Sequence, residues 1–258
     1  FRVNQITYFR HNMPLAVQIN NLSFNYKNQP LLMKGLHLSI DEGLRYGIFG
    51  PNGAGKTTLM NLMAGLLTYK EGSVKVFGKE MSGLKKEINR IIGYVPQDFA
   101  FYEELSPAEN MEFFGAWYGM KNEKIKSKTK ELLSVMGLSE VRAKPVKQFS
   151  GGMKRRVNLA IGMMHEPKIL FLDEPTVGVD VQSRNAIITF LKETNRQGTT
   201  LIYTSHQLNE AEDLCQKIAL IDQGEIIANN SLTELLQQHS QHGLEGLFLE
   251  LTGRAYRD

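Results

Sequence analysis

Cysteine is nearly missing from this sequence. Cys215 stands alone among 258 residues, so no internal disulfide can form. That usage points to a reducing compartment, with residence in the cytoplasm as the default expectation. Cys215 itself lies in a helical pattern, LNEAEDLCQK, and reads as a small core or boundary residue. Long hydrophobic runs are absent too. No stretch approaches the ~18 consecutive apolar residues that span a bilayer, and none resembles the apolar centre of a signal peptide. Charge of one sign is scarce. A net charge of +3 is too mild to indicate a nucleic-acid protein, and no such partner is expected. No internal repeat and no low-complexity segment breaks the pattern.

The chain has the composition of an ordinary folded protein, 42% hydrophobic and 22% charged. Residues 1–13 carry no regular pattern and are expected to be a tail outside the folded domain. AVQINNLSF (16–24) and LHLSI (36–40) alternate as half-buried strands do. LRYGIFG (44–50) reads as a buried strand running into glycine, and KTTLMNLMAGLL (56–67) as a helix. Strands follow at 71–81 and at 91–97, the latter stopped by Pro96.

From about Ser106 to Met164 the pattern turns helical. Ser106 with Pro107 and Glu109 has the form of a capping box. Lysines gather between Lys121 and Lys147, and Lys154, Arg155 and Arg156 adjoin; these are either a solvated helical face or a face turned to an anionic membrane or acidic partner. Strands resume in KILFLDE (168–174) and TTLIYTSH (199–206), with a helix over 182–198 between them. KIALIDQGEIIAN (217–229) reads as a hairpin, and an amphipathic GLFLELTG lies in the tail. Strand–helix alternation with buried strands predicts an α/β core with a mostly parallel sheet, an antiparallel β portion before it and an inserted helical portion.

GPNGAGKT (50–57) matches G-x-x-x-x-G-K-[ST], between a predicted strand and a predicted helix. Gly50, Gly53 and Gly55, with Asn52 and Ala54, let backbone N–H groups turn inward around an anion, aided by the helix dipole. Lys56 is suited to the outer phosphates, the Thr57 hydroxyl to magnesium and Thr58 to a further phosphate bond. ILFLDE (169–174) carries two carboxylates to the end of a buried strand. There Asp173 can hold magnesium and Glu174 can act as general base towards water, an effect of roughly 10²–10⁴-fold. His206 and Gln97 end neighbouring strands and could reach the terminal phosphate, the metal or the lytic water.

FSGGMKRR (149–156) raises a separate question, because Ser150, Gly151 and Gly152 make a second anion-friendly helix start. One domain is not expected to close both glycine turns on one nucleotide. Two copies, head to tail, could do so in two composite sites.

GPNGAGKT, Gln97, FSGGM, ILFLDE, Asp180 and His206, in this order, resemble the nucleotide-binding subunit of an ATP-binding cassette (ABC) transporter over about residues 15–235. The family's commonest second turn is LSGGQ, so Phe149 and Met153 depart from it, while the serine and both glycines are kept. The resemblance implies a P-loop NTPase core over 14–98 and 165–235, a helical subdomain over 99–164 and a C-terminal extension over 236–258. It implies ATP hydrolysis with magnesium, an ATP-bound homodimer and a separate transmembrane permease. The chain would then be peripheral on the cytoplasmic face of the inner membrane. Asp180 is implied to couple the two sites, and Tyr26 to stack on adenine, with Phe24 as the alternative. FSGGMKRR, TVGVD and LFLELTG are similar to bacterial exporters of drugs, lipids or polysaccharides. The segment 98–114, with Phe99, Phe101 and Tyr102, would receive the membrane subunit or else pack the helical lobe. The rival readings are a soluble ATPase of the same type on ribosomes or nucleic acid, and a regulatory module with a dead site.

Overall fold

The computed structural model describes residues 14–82, 88, 90–241 and 243–253; the expected tail at 1–13 lies outside them. The described chain begins in an antiparallel sheet. Strand β1 (Leu15–Phe24) lies between β2 (Met33–Asp41) and β4 (Glu71–Val76), and a short β5 (Lys79–Glu80) pairs with β4 at the edge. The predicted strand over 71–81 is therefore two strands and a turn.

A six-stranded sheet forms the centre, in the order β10-β9-β3-β8-β7-β6. Its members are β3 (Arg45–Phe49), β6 (Ile92–Val95), β7 (Ile169–Asp173), β8 (Thr200–Ser205), β9 (Lys217–Asp222) and β10 (Glu225–Ser231). All neighbours run parallel except β9 and β10. Those two form a hairpin whose turn residues, Gln223 and Gly224, take φ 48° and 80°, as a two-residue turn of this hand requires.

Strand sequences explain why this sheet lies inside. Along β7, Ile169 and Phe171 face one apolar cluster while Leu170 and Leu172 face another, and β9 divides likewise into Ala219 and Ile221 against Ile218 and Leu220. A strand apolar on both faces needs cover on both. One cover is the antiparallel sheet with α1 (Lys56–Met63), through Ile19, Leu38, Leu59 and Met63. The other is helical: α2 (Pro107–Trp117), α3 (Asn122–Val135), α4 (Gly151–Gly162), α5 (Val181–Arg196) and α6 (Asn209–Leu214). Helices α7 (Leu232–Gln238) and α8 (Leu244–Thr252) add Leu235, Leu244 and Leu247 to it, so the amphipathic tail packs on the core.

Between β6 and β7 lie α2, α3 and α4, as the sequence pattern predicts. The Ser106 hydroxyl accepts from the Glu109 amide at 3.3 Å, and Glu109 Oε2 accepts from the Ser106 amide at 2.8 Å. This is the capping box, and it fixes where the helical lobe starts. Strands β3, β7 and β8, with β6 alongside, bring their C-terminal ends to one edge, where open parallel sheets hold ligands.

Candidate nucleotide site

The loop after β3 is shaped by its glycines in two ways. Gly53 and Gly55 take φ of 80° and 103°, a region that side chains disfavour. Gly50 is different. A Cβ there would come 2.1 Å from the Ile221 carbonyl oxygen, so close approach to the end of β9 requires glycine. Gly55 then forms the start of α1 without a side-chain cap, leaving the first amide groups of the helix for an anion.

Lys56 is buried, 5% exposed. Its ammonium donates to the carbonyls of Gly50 at 2.8 Å and Pro51 at 3.1 Å and lies 3.9 Å from Glu174 Oε1. Burial pulls its pKa down, and the Glu174 and Asp173 carboxylates oppose that shift. A buried ammonium resting on backbone carbonyls is a cation held ready for a stronger partner.

Asp173 ends β7 and is 2% exposed. Its Oδ1 accepts from Thr204 Oγ1 at 2.6 Å and from Thr57 Oγ1 at 3.2 Å. Burial raises its pKa, and these two hydroxyls resist the rise. The next residue, Glu174, takes φ 47°, left-handed backbone that a side chain rarely adopts. It is pinned there by Thr204, whose carbonyl and hydroxyl oxygens accept from the Glu174 amide at 3.1 and 3.2 Å. Its two carboxylate oxygens meet separate elements. Gln97 Nε2 donates to Oε2 at 3.2 Å, and His206 Nδ1 lies 3.0 Å from Oε1. Lys56, Thr57, Gln97, Asp173, Glu174 and His206, drawn from four separate segments of sequence, thus converge.

A cleft of about 570 Å3 opens beside them. Asn52, Gly53, Gly55, Lys56, Thr57, Thr58, Gln97 and Glu174 line it, and so do Tyr26 and the segment 29–32. Tyr26 is 38% exposed and its hydroxyl bonds Thr58 Oγ1 at 3.0 Å, whereas Phe24 is buried beneath the Tyr26 ring at 5.0 Å. Of the two aromatics, only Tyr26 faces the cleft. Gly50 and Ala54 do not line it; buried Ala54 accepts instead from the Gly224 amide at 2.9 Å, tying the loop to the β9–β10 turn.

Ser150, Gly151, Gly152 and Asp180 are brought together elsewhere and do not line the cleft. Ser150 caps α4 by accepting from the Met153 amide at 3.3 Å. Asp180 caps α5, accepting from the Ser183 amide at 2.9 Å and the Ser183 hydroxyl at 2.8 Å, bonds that hold its carboxyl below the usual range. A Cβ on Gly152 would fall 2.5 Å from Ser183 Oγ, and one on Gly151 3.5 Å from the Gly178 carbonyl oxygen. The serine–glycine turn and the Asp180 loop are one packed unit.

The basic run beside that turn makes internal contacts, and its middle residue is buried. Arg155 is 5% exposed and donates to the Gln97 carbonyl at 2.7 Å and to those of Pro96 and Val177 at 3.4 Å, with its guanidinium 4.9 Å over the Phe99 ring. Arg156 donates to the Met136 carbonyl at 2.8 Å, and Lys154 pairs with Glu103 at 2.9 Å. Arg155 therefore supports the loops carrying Gln97 and Asp180. Sequence reading missed this, although Arg155 shares a helical face with Gly152 and Leu159, both buried. Thr204 was missed as well. So was buried Glu210, which accepts from Thr176 at 2.6 Å, from Tyr203 and from Arg184, and so anchors the loop between Glu174 and Asp180. No local signal marks an acid that closes such a network across three elements.

Known proteins resemble this chain in sequence and in fold. Residues 33–177 match the family model described as ABC transporter. The chain is 41% identical over 219 residues to the linearmycin resistance ATP-binding protein of Bacillus subtilis (strain 168), spanning 85% of this chain and 70% of that protein. It is 37% identical over 220 residues to the daunorubicin/doxorubicin resistance ATP-binding protein of Streptomyces peucetius, spanning 85% and 66%. Among solved structures, a dimeric ATP-binding cassette in a post-hydrolysis state with ADP and phosphate superposes with a TM-score of 0.75 at 27% identity, covering 84% of this chain and 98% of that one. The chain belongs to the ABC transporter family, as an ATP-binding subunit.

Proposed function

We propose that this chain hydrolyses magnesium-ATP between two copies of itself and thereby drives export through a separate membrane subunit. One observation carries the reading. Every group suited to a nucleotide lines or adjoins the 570 Å3 cleft except Ser150, Gly151, Gly152 and Asp180, which sit together away from it. A second copy, head to tail, supplies that turn to each cleft.

In this reading Tyr26 stacks on the base, and the amides of residues 53–57 with Lys56 hold the phosphates. Lys56 leaves the Gly50 and Pro51 carbonyls for the outer phosphates. Glu174 accepts the proton of the attacking water, Gln97 orients that water, and His206 holds Glu174 and meets the terminal phosphate. Thr57, Asp173 and Gln97 offer oxygen donors that would fit magnesium, with Thr57 Oγ1 3.2 Å from Asp173 Oδ1. When bound, magnesium supplies charge neutralisation on the phosphate oxygens. ATP favours the closed pair because only that state contacts it from both sides, and hydrolysis reopens it.

Two features support a membrane partner. Among the described residues no helix is long and apolar enough to cross a membrane, which fits transport through a membrane part outside them. A second cleft of about 860 Å3 lies where the helical lobe meets β6 and exposes Leu66 and Trp117, 60% and 78% accessible. It suits a helix of the membrane subunit; Phe99 and Tyr102, which do not line it, are exposed as well. Export is supported by the drug-resistance relatives. The test is purification of the chain from detergent-solubilised membranes of its host. A stoichiometric multi-span protein is the expected companion. Ribosomal or DNA-bound material without one would move the function to a soluble ATPase.

A further inference from the structure

The helical lobe holds a third cleft, of about 840 Å3, on which the nucleotide chemistry makes no demand. Its walls are α2, α3 and the connector that follows α3. Along α3 the lining residues are Ile125, Lys126, Thr129, Lys130 and Leu133, spaced so that one helical face presents them all. Arg142 and Lys144 face them from the connector. Ile125 and Leu133, 3% and 2% exposed, make an apolar floor.

The charges here are arranged unlike those nearby. Lys124 and Lys128 pair with Glu166, Lys147 with Glu104 and Lys154 with Glu103. Lys126, Lys130, Arg142 and Lys144 have no carboxylate partner among the described residues, although Glu112 and Glu140 also line the cleft. Exposed cations are ordinarily just solvated; what differs is that these four surround a cavity with an apolar floor. The Thr129 hydroxyl is a second irregularity. A helical threonine hydroxyl usually bonds a carbonyl one turn back, but this one is shielded from water and has no hydrogen-bond partner.

We infer that this cleft binds an amphipathic organic anion, with a phosphate or carboxylate head among Lys126, Lys130, Arg142 and Lys144 and an apolar body against Ile125 and Leu133. The volume is in the range of small-molecule sites. A free metabolite-like anion and an anionic lipid share this head-group chemistry. The inference is independent of the nucleotide reading.

The probe is dodecyl phosphate below its micelle concentration, titrated calorimetrically into the full chain. Saturable binding is expected, weakened by salt. Lys130→Glu with Arg142→Glu should lower affinity by about tenfold or more, since two charge-assisted bonds to the anion are lost and replaced by repulsion. Lys124→Glu, which alters a paired lysine of the same helix, should leave binding unchanged. Thr129→Val should weaken binding without lowering Tm, because no existing bond is lost. Pelleting with phosphatidylcholine vesicles containing phosphatidic acid, lost in the Lys130/Arg142 variant, would identify a lipid source; binding of the soluble probe alone would identify a free anion. Absence of saturable binding, or equal binding by wild type and the Lys130/Arg142 variant, would overturn the inference.

Discussion

Two helix starts in this chain look alike in sequence and differ in everything around them. Both put small residues and glycine at a helix start, Gly53–Gly55 before α1 and Ser150–Gly152 at the cap and first turn of α4. Around the first, a buried ammonium, two buried carboxylates, a glutamine and a histidine are already in mutual contact. Around the second, the neighbours are its own cap, the Gly178 carbonyl and the Asp180–Ser183 loop. One is a site with its charges assembled; the other is a backbone surface with no charge of its own turned to a ligand. An isolated helix N-terminus gains little from an exposed anion; in the proposed function the second turn acquires its purpose when a nucleotide held by another copy meets it.

The largest effect that sharpens this contrast is Glu174→Gln. Turnover should fall by roughly 10²–10⁴-fold with ATP binding retained, because the general base is lost and the shape is not. Unchanged turnover would remove Glu174 from that role. Next is Lys56→Ala, for which loss of one preorganised charge predicts a fall of about 10²–10³-fold in steady-state hydrolysis. Near-normal rates would take Lys56 out of the site.

Gly151→Asp attacks the other turn. The position has room, its nearest contact being 3.5 Å away, so folding should be unaffected. The new carboxylate would oppose the terminal phosphate across the pair, at a cost of several kcal/mol. Cooperativity of hydrolysis should vanish while ATP binding to the single copy persists. Retained cooperativity would show that the turn does not meet the nucleotide. Arg155→Met links the two regions. It strips donors from three carbonyls, of which Pro96 keeps Asn158 as a donor, and thermal unfolding should report a loss of about 1–3 kcal/mol for the acceptors of Gln97 and Val177 left unpaired.

The smallest effect concerns pH. Burial raises the Asp173 pKa in the folded chain above its unfolded value, so the folded state binds this proton more tightly. The ionised carboxylate therefore destabilises the nucleotide-free fold above its folded pKa, and the penalty fades as pH falls through that value to the unfolded one. Asp173→Asn should raise Tm at neutral pH, and the gain should shrink on acidification. A variant less stable than wild type at neutral pH would contradict the assignment.

How much of this was legible beforehand varies by residue. The strand ends that carry Gln97, Asp173, Glu174 and His206 were readable because apolar runs stop at polar residues, and the parallel order of the sheet then brings them together. Gly50 has a role that its place in the loop does not reveal. It permits a close approach to Ile221, and packing partners distant in sequence leave no local trace. Arg155 was hidden in a run of three basic residues, where composition suggests solvent and only the helical period shows that one of the three points inward. Glu210 closes a network across β8, α5 and the loop after β7, and nothing near it in sequence predicts that.

The central claim is that the nucleotide site is completed by a second copy. Light scattering on the Glu174→Gln protein with saturating magnesium-ATP tests it most directly. The account predicts a dimer that reverts to monomer when ATP is withdrawn or when Gly151→Asp is added. A monomer at saturating magnesium-ATP would contradict it.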